Sequence, residues 1–350
     1  MKPSLLELLC SPADGSKLRL EQQVERNGEI LEGTLVDDSG KRFSIVAGVP
    51  LFAEEDSTDA TFAFKWKKIG GSYGHEDRTR TNRQQWYLDR FGYETREDLH
   101  DFLGSDKLVL DAGTGSGVDA AMFAESGSTV VAVDLSRDAA DATYGHLGSL
   151  PNVHVVQSDL CALPFSEGAF DYISSDQVLH HTPDTQAAFV GLTRKLRPEG
   201  RIAIYVYRRK GPIREFADDY IRERATKMPA EECYELCRRI TLLGKALSDL
   251  KVDVAVPEEI PLLEIEAGAE DVQRFIYWHV LKCFWNDHYD FETNVIVNFD
   301  WYHPKYAFRH EPEEVRTWFE DCGLTVERID VIPSGISALG VLSSSEDNAS

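Results

Sequence analysis

The stretch "VLDAGTGSGVDAAMFAESGSTVVAVDLS", residues 109–136, sets Asp111 ahead of three alternating glycines, Gly113, Gly115 and Gly117, and closes its second apolar run on Asp134. A strand that ends at Asp111 and turns through glycines into a helix brings backbone N–H groups close to a ligand with no Cβ in the way. Asp134 is placed to accept hydrogen bonds from both hydroxyls of a ribose. Two classes of nucleoside cofactor fit this outline. A dinucleotide calls for G-x-G-x-x-G, but Val118 stands where the third glycine would fall. Asp111 would repel a pyrophosphate, whereas an amino group is attracted to the same carboxylate.

The elements that must position these residues form an alternating series. From Lys107 the chain reads "KLVLDAG", "GVDAAMFAESG", "TVVAVDLS", "DAADATYGHLGSL", "NVHVVQSDL", "AFDYISSDQVL", "QAAFVGLTRKLRPEG" and "RIAIYVYRR". Strands that are continuous apolar runs, joined by helices, predict an α/β protein with a parallel sheet covered on both faces. After Arg208 the rhythm stops, and residues 208–309 are expected as a helical, aromatic-rich insertion in the sheet. It resumes with "EPEEVRTWFEDCGL" as a helix and "TVERIDVI" and "SALGVLSS" as strands. Ahead of the sheet, residues 61–104 have a helical, aromatic pattern and are expected to cover it. Residues 1–54 show short alternating strands between Gly, Asp and Pro turns, a small β-rich module. The acidic "AEEDSTDA" (53–60) is expected as a linker, and the end, "SSSEDNAS", as a disordered tail with 344–350 at its tip.

With Lys+Arg 37 against Asp+Glu 60, the net charge of −23 repels phosphate backbones, so nucleic acid is a disfavoured partner. The six cysteines lack any C-x-x-C pair and are expected as reduced, mostly buried thiols. No long apolar run is present, so a cytoplasmic protein without a membrane partner is expected.

"VLDAGTGSG", "VVAVDLS", "VVQSDLCALPF", "FDYISSDQVLHHTPD" and "LRPEGRIAIYVY" resemble, in order and spacing, the successive motifs of class I S-adenosylmethionine-dependent methyltransferases, in particular the type 11 branch. The resemblance implies a Rossmann-like seven-stranded sheet with the last strand antiparallel, and S-adenosyl-L-methionine as cofactor. It assigns Asp111, Gly113, Thr114, Gly115, Ser116 and Gly117 to the methionine end of the cofactor, and Asp134 and Leu135 to its ribose. Asp159 would accept from the adenine amino group while Leu160 packs on the ring. Asp176 and Gln177 would lie beside the transferable methyl. Each aspartate has an alternative use as a helix N-cap or turn former.

Methyl transfer is an in-line displacement in which the enzyme mainly supplies proximity and alignment. A general base is needed only where the acceptor is protonated, and His180, in "VLHHTPD", is the candidate pocket residue and base. Its neighbour His181 is expected to be structural, and Tyr205 and Tyr207 to pack.

The insertion holds 11 of the 36 aromatic residues between Phe275 and Tyr306. Its aromatic walls with the polar tips of Asn286, Asp300, Trp301, Tyr302 and His303 would suit an organic methyl acceptor or would simply pack a helical cap. His279, His288, His303 and His310 lack the spacing of a metal site, and no metal is expected.

Residues 1–54 also resemble the zinc-ribbon-like activator domain of several tRNA- and protein-modifying methyltransferases, through "LLELLCSPADGSKL" and "FSIVAGVPLF". Asp14 and Asp37–Asp38 stand near where further ligands would fall, and Cys10 alone cannot hold zinc. A metal-free remnant is expected, packed on the catalytic domain or mediating self-association, for instance as a homodimer. The expected function is methyl transfer to a metabolite, sugar or natural product. The alternatives are a tRNA or protein methyltransferase and a non-catalytic, cofactor-binding regulatory subunit.

Overall fold

The computed structural model describes residues 1–53, 57–69 and 77–344. Two compact units are present: residues 1–206 with 310–331 and 336–350, and residues 207–309 with 332–335.

The first unit begins with an antiparallel sheet of β1 (Arg19–Arg26), β2 (Glu29–Val36), β3 (Arg42–Val46) and β4 (Val49–Pro50), in that order. Alternation places Phe43 and Ile45 of β3 inward and Arg42, Ser44 and Val46 outward. Between β2 and β3, Asp37 is buried and accepts from Ser11 Oγ (2.9 Å), Ser39 N (2.9 Å), Ser39 Oγ (2.7 Å) and Lys41 N (2.9 Å). These donors hold its carboxyl below the usual carboxylate range, the Ser39 hydroxyl contributing most. A hydrogen-bonded carboxylate closes this turn.

Next come α1 (Ser57–Ile69), α2 (Asp77–Phe91) and α3 (Arg96–Leu103). α1 starts inside the segment expected as a linker; residues 54–56 lie outside the described residues. A capping box of Thr95 and Asp98 starts α3.

The alternating series follows as β5 (Leu108–Ala112), α4 (Val118–Ala124), β6 (Thr129–Asp134), α5 (Arg137–Leu147), β7 (Val153–Gln157), β8 (Phe170–Asp176), α6 (Thr185–Thr193) and β9 (Leu196–Tyr207). β5 pairs in parallel with β6 and β8, β6 with β7, and β8 with β9. The strands are apolar on both faces because both are covered. Leu110, Val131 and Val133 enter one buried cluster, while Val109, Val130 and Ala132 enter the other.

The second unit holds α7 (Pro212–Ala225), α8 (Ala230–Asp249), β10 (Asp253–Val256), β11 (Gly268–Asp271), α9 (Val272–His279) and α10 (Phe291–Tyr302). Its four helices agree with the expected helical insertion. The antiparallel hairpin β10–β11 was not expected. Its strands are only four residues each, and β11, Gly-Ala-Glu-Asp, has no apolar pattern of its own.

The chain returns to the first unit with α11 (Pro312–Asp321), β12 (Leu324–Ile332) and β13 (Gly335–Leu342). The completed sheet has the order β12-β13-β9-β8-β5-β6-β7, with the last strand antiparallel, as expected. Of the expected tail, residues 345–350 lie outside the described residues.

Candidate active site

The glycine turn joins β5 to α4. Gly113, Gly115 and Gly117 have φ of 91°, 59° and 83°, left-handed values that favour glycine. A Cβ would come within 2.3 Å of Val178 at Gly113, 2.7 Å of Trp66 at Gly115 and 2.9 Å of Thr143 at Gly117. The turn is therefore closely packed as well as unusually bent. Val118 begins α4 with its side chain buried, where a dinucleotide turn would have glycine.

The hydrogen bonds of this turn differ from the expectation in a consequential way. Gly113 and Thr114 N–H both donate to Val133 O (2.8 and 2.9 Å), Gly115 N–H to Asp134 Oδ2 (2.8 Å) and Gly117 N–H to Thr114 O (3.0 Å). Four N–H groups expected to face a ligand are spent within the fold. A turn with its donors so committed is a poor phosphate cradle. Asp134 also accepts from Ser136 N–H (2.9 Å), so each carboxylate oxygen holds one backbone donor and keeps a further lone pair. Thr143 Oγ1 ties α5 to Gly115 O (2.9 Å).

Beneath the turn lies a group of buried charges. Asp111 is 3% exposed and accepts from Thr114 Oγ1 at 2.6 Å. Burial first, and then the carboxylate of Asp119, push its carboxyl up to about 7. Asp119, in the first turn of α4, is paired with Arg83 at 3.3 Å. Asp176, at the end of β8, is held by both Nη atoms of Arg90, at 2.7 and 2.9 Å. Burial opposes the charge on Asp176, but Arg90 outweighs it and holds the carboxyl below its ordinary value. The Arg90 guanidinium lies 3.6 Å from the Trp86 ring centroid and 4.8 Å from that of Tyr205. Three carboxylates thus face two guanidinium groups, and Asp111 is the one without a cationic partner of its own. Such a site attracts a cation.

The other expected residues lie along the same carboxyl edge of the sheet. Asp159 follows β7 and caps a short 3-10 turn, accepting from Cys161 N–H at 2.9 Å, with Leu160 buried beside it. Leu135 is half-buried, and its carbonyl accepts from Gln157 Nε2 at 2.8 Å. Gln177 adopts a left-handed φ of 64°, rare for a side-chain-bearing residue and a form of strain found at ligand sites. Its Nε2 donates to Asp176 Oδ2 at 3.1 Å. His180 and His181 are buried with ring centroids 4.3 Å apart; His180 lies 6.4 Å from Tyr205, and Phe62 of α1 lies 5.3 Å from His181. Ser116 is buried in the glycine turn.

Sequence reasoning missed Arg83, Arg90, Asp119 and Trp66. Arg83 and Arg90 stand seven apart on α2, one face of a helix, and that spacing was the available signal. Trp66 against Gly115 is a tertiary contact with no sequence signature.

In the second unit, three of the five expected polar tips, those of Trp301, Tyr302 and His303, are buried. Tyr302 OH donates to Lys282 O (3.0 Å) and His303 Nε2 lies 3.1 Å from Met228 O, whereas Asn286 Oδ1 accepts from His288 N–H (2.9 Å) at the surface. Tyr207 packs on Trp301, with centroids 4.7 Å apart. Among the described residues, no three His, Cys, Asp or Glu side chains gather as a metal site.

Residues 110–204 match the family profile described as a methyltransferase domain. The chain carries a class I methyltransferase domain of the type 11 branch. The cofactor of such a domain is S-adenosylmethionine. An uncharacterized 37.1 kDa protein in transposon TN4556 of Streptomyces fradiae is 26% identical over 167 residues, 46% of this chain and 47% of its own length. A demethylmenaquinone methyltransferase of Clavibacter sepedonicus is 32% identical over 96 residues, 27% of this chain and 39% of its own. The chain thus spans less than half the length of these two relatives. A crystal structure of a SAM dependent methyltransferase from Aquifex aeolicus aligns with 71% of this chain and 89% of its own, at 14% identity and a TM-score of 0.38. The motifs that match lie in the methyltransferase domain; the second unit falls outside the profile. No helix among the described residues is long and apolar enough to cross a membrane.

Proposed function

We propose that this chain transfers the methyl group of S-adenosylmethionine to a small organic acceptor. The observation that carries the reading is the surplus buried carboxylate, Asp111, beneath a turn whose N–H groups are already committed. A site short of free donors and rich in negative charge suits an ammonium group and rejects a pyrophosphate. In this reading Asp111, Gly113, Thr114, Gly115, Ser116 and Gly117 surround the methionine end. Asp134 uses its remaining lone pairs on the ribose hydroxyls with Leu135 beside them, Asp159 accepts from the adenine amino group, and Leu160 packs on the ring. Asp176, made rigid by Arg90, and Gln177 border the reacting carbon, and His180 takes the proton of an acceptor that has one to lose.

When bound, S-adenosylmethionine supplies a methyl group on a positively charged sulfur. The residues of the chain then have to orient and exclude water rather than activate a leaving group. The small-molecule acceptor is supported by the net charge of −23, which disfavours a nucleic-acid substrate, and by the relative named for demethylmenaquinone.

Calorimetric titration with S-adenosylmethionine tests this directly. Replacing Asp134 by Ala removes acceptors that would meet both ribose hydroxyls, so the affinity should fall about tenfold or more. Undiminished affinity in Asp134→Ala, with the variant folded, overturns the assignment of the site.

A further inference from the structure

Within the second unit, α8 buries one face against its own neighbours. Cys233, Cys237, Thr241 and Gly244 are buried where the helix packs on α9 and α10, with Asn298 Nδ2 donating to Thr241 Oγ1 at 2.8 Å. A second set of apolar side chains, Leu236, Ile240, Leu243, Leu247 and Leu250, is spaced 4-3-4-3 along the same helix. That spacing is the seam of a two-helix coiled coil, and it runs beside the buried face rather than within it. Leu236, Ile240 and Leu247 are half-buried, whereas Leu243 is 44% and Leu250 60% exposed. Single exposed leucines are ordinary, but five in heptad register over about 21 Å of helix form a continuous contact surface.

The two ends of this seam differ in shape and charge, and each complements the other. At the amino end a groove of about 420 Å³ is lined by Met228, Leu236, Arg239 and the exposed carboxylates of Glu231, Glu232 and Glu235. At the carboxyl end Leu250 and Val252, the latter 54% exposed, stand out from the surface. Between them Lys251 has a side chain 67% exposed and an ion pair with Asp287 at 3.5 Å. A groove that offers apolar side chains and carboxylates suits a leucine followed by a lysine. The helix carries that pair, but about 21 Å from its own groove, so the complement has to come from another molecule.

We propose that two copies of this chain associate through α8, with the two helices antiparallel about a two-fold axis. Antiparallel layers pair Leu236 with Leu247 of the second copy and Ile240 with Leu243 of the second copy, and the symmetry repeats both. One step further along the seam, Leu250 of the second copy comes over the groove and its Lys251 lies opposite Glu232. The helix dipoles then oppose one another, which sets the acidic first turn of one copy against the carboxyl end of the other. A parallel pair would bring the two acidic ends together, like charge against like. The surface belongs to the second unit and does not depend on the methyl-transfer reading.

The test is sedimentation velocity of the full chain. It should show a monomer–dimer equilibrium with a dissociation constant on the order of 10 µM, in keeping with a short seam. Leu243→Glu, a change at an exposed position in the middle of the seam, should weaken association about tenfold or more while far-ultraviolet circular dichroism is unchanged. Glu232→Lys alone and Lys251→Glu alone should each weaken the dimer about threefold at low salt, and the double exchange should restore it. Only the antiparallel arrangement gives that rescue, because the two positions lie at opposite ends of the helix. If Leu243→Glu does not fold, the charge exchange decides. A chain that stays monomeric up to about 100 µM overturns the proposal, as does a dimer that folded Leu243→Glu leaves intact. Failure of the double exchange to rescue overturns the antiparallel pairing and with it the proposal.

Discussion

Asp111 carries a consequence for pH. Its carboxyl ordinarily titrates at 3.8, and in the folded protein it is raised to about 7 by burial and by Asp119. Below pH 7 the folded, ligand-free site therefore holds a proton there. An ammonium group beside Asp111 favours the carboxylate and expels that proton, so affinity for S-adenosylmethionine should rise with pH up to about 7 and then level. The slope approaches tenfold per pH unit in the acidic limb. Calorimetry at pH 6 in two buffers of different ionisation enthalpy should show proton release on binding, absent in Asp111→Asn. PH-independent affinity with no proton released would remove Asp111 from the methionine end. The stability effect has the opposite sense: the raised carboxyl favours the native state most below its unfolded value, and that contribution is lost as pH rises towards 7. At this scale the sequence was informative about the glycines and Asp111. It was silent on Asp119 and Arg83, because a charged residue's partner is set by packing.

At the scale of elements, α2 is positioned by one buried ion pair. Arg90 and Asp176 have side chains 2% and 3% exposed, and Arg90 also donates to Trp86 O (3.0 Å) and touches Ser337 Oγ (3.4 Å). The pair links a cover helix to the end of β8, and the residue after that strand, Gln177, is the strained one. Arg90→Ala should cost about 3–5 kcal/mol in denaturant unfolding, because it leaves Asp176 buried without its partner. The double variant Arg90→Met, Asp176→Leu should lose less than Arg90→Ala alone. An equal or larger loss in the double variant would show that the cost comes from packing rather than from the orphaned charge. The helical character of α2 was legible from its pattern. Its role was not, since "RQQWYLDRF" reads as an ordinary charged and aromatic face until the sheet edge beside it is known.

Across the whole molecule, the parallel sheet was legible because each strand is buried on both faces and becomes an unbroken apolar run between helices. The second unit was less so: Val254 and Val256 give β10 too little hydrophobic pattern to reveal a strand, and an aromatic-dense stretch does not say which rings pack and which bind. The N-terminal module was visible as β-rich, but its energetic connection was not. Leu9, Ile30, Leu35, Phe43 and Ile45 are buried in the same continuous cluster as Val133, Val156, Leu160 and Phe165 of the parallel-sheet region. Leu9 bridges Phe165, Leu51 bridges Gln157, and the Ala53 N–H reaches Gln157 Oε1 at 3.2 Å. A core shared in this way should unfold as one cooperative unit. Phe43→Ala is therefore expected to cost about 3–5 kcal/mol, the usual price of emptying a buried aromatic position. The loss should appear in the transition of the methyltransferase domain itself, followed by the near-ultraviolet signal of Tyr172 and Trp86 environments and by S-adenosylmethionine binding. If Phe43→Ala instead melts a small early transition and leaves cofactor binding and the main transition in place, the module is an independent domain and the shared core contributes no cooperativity.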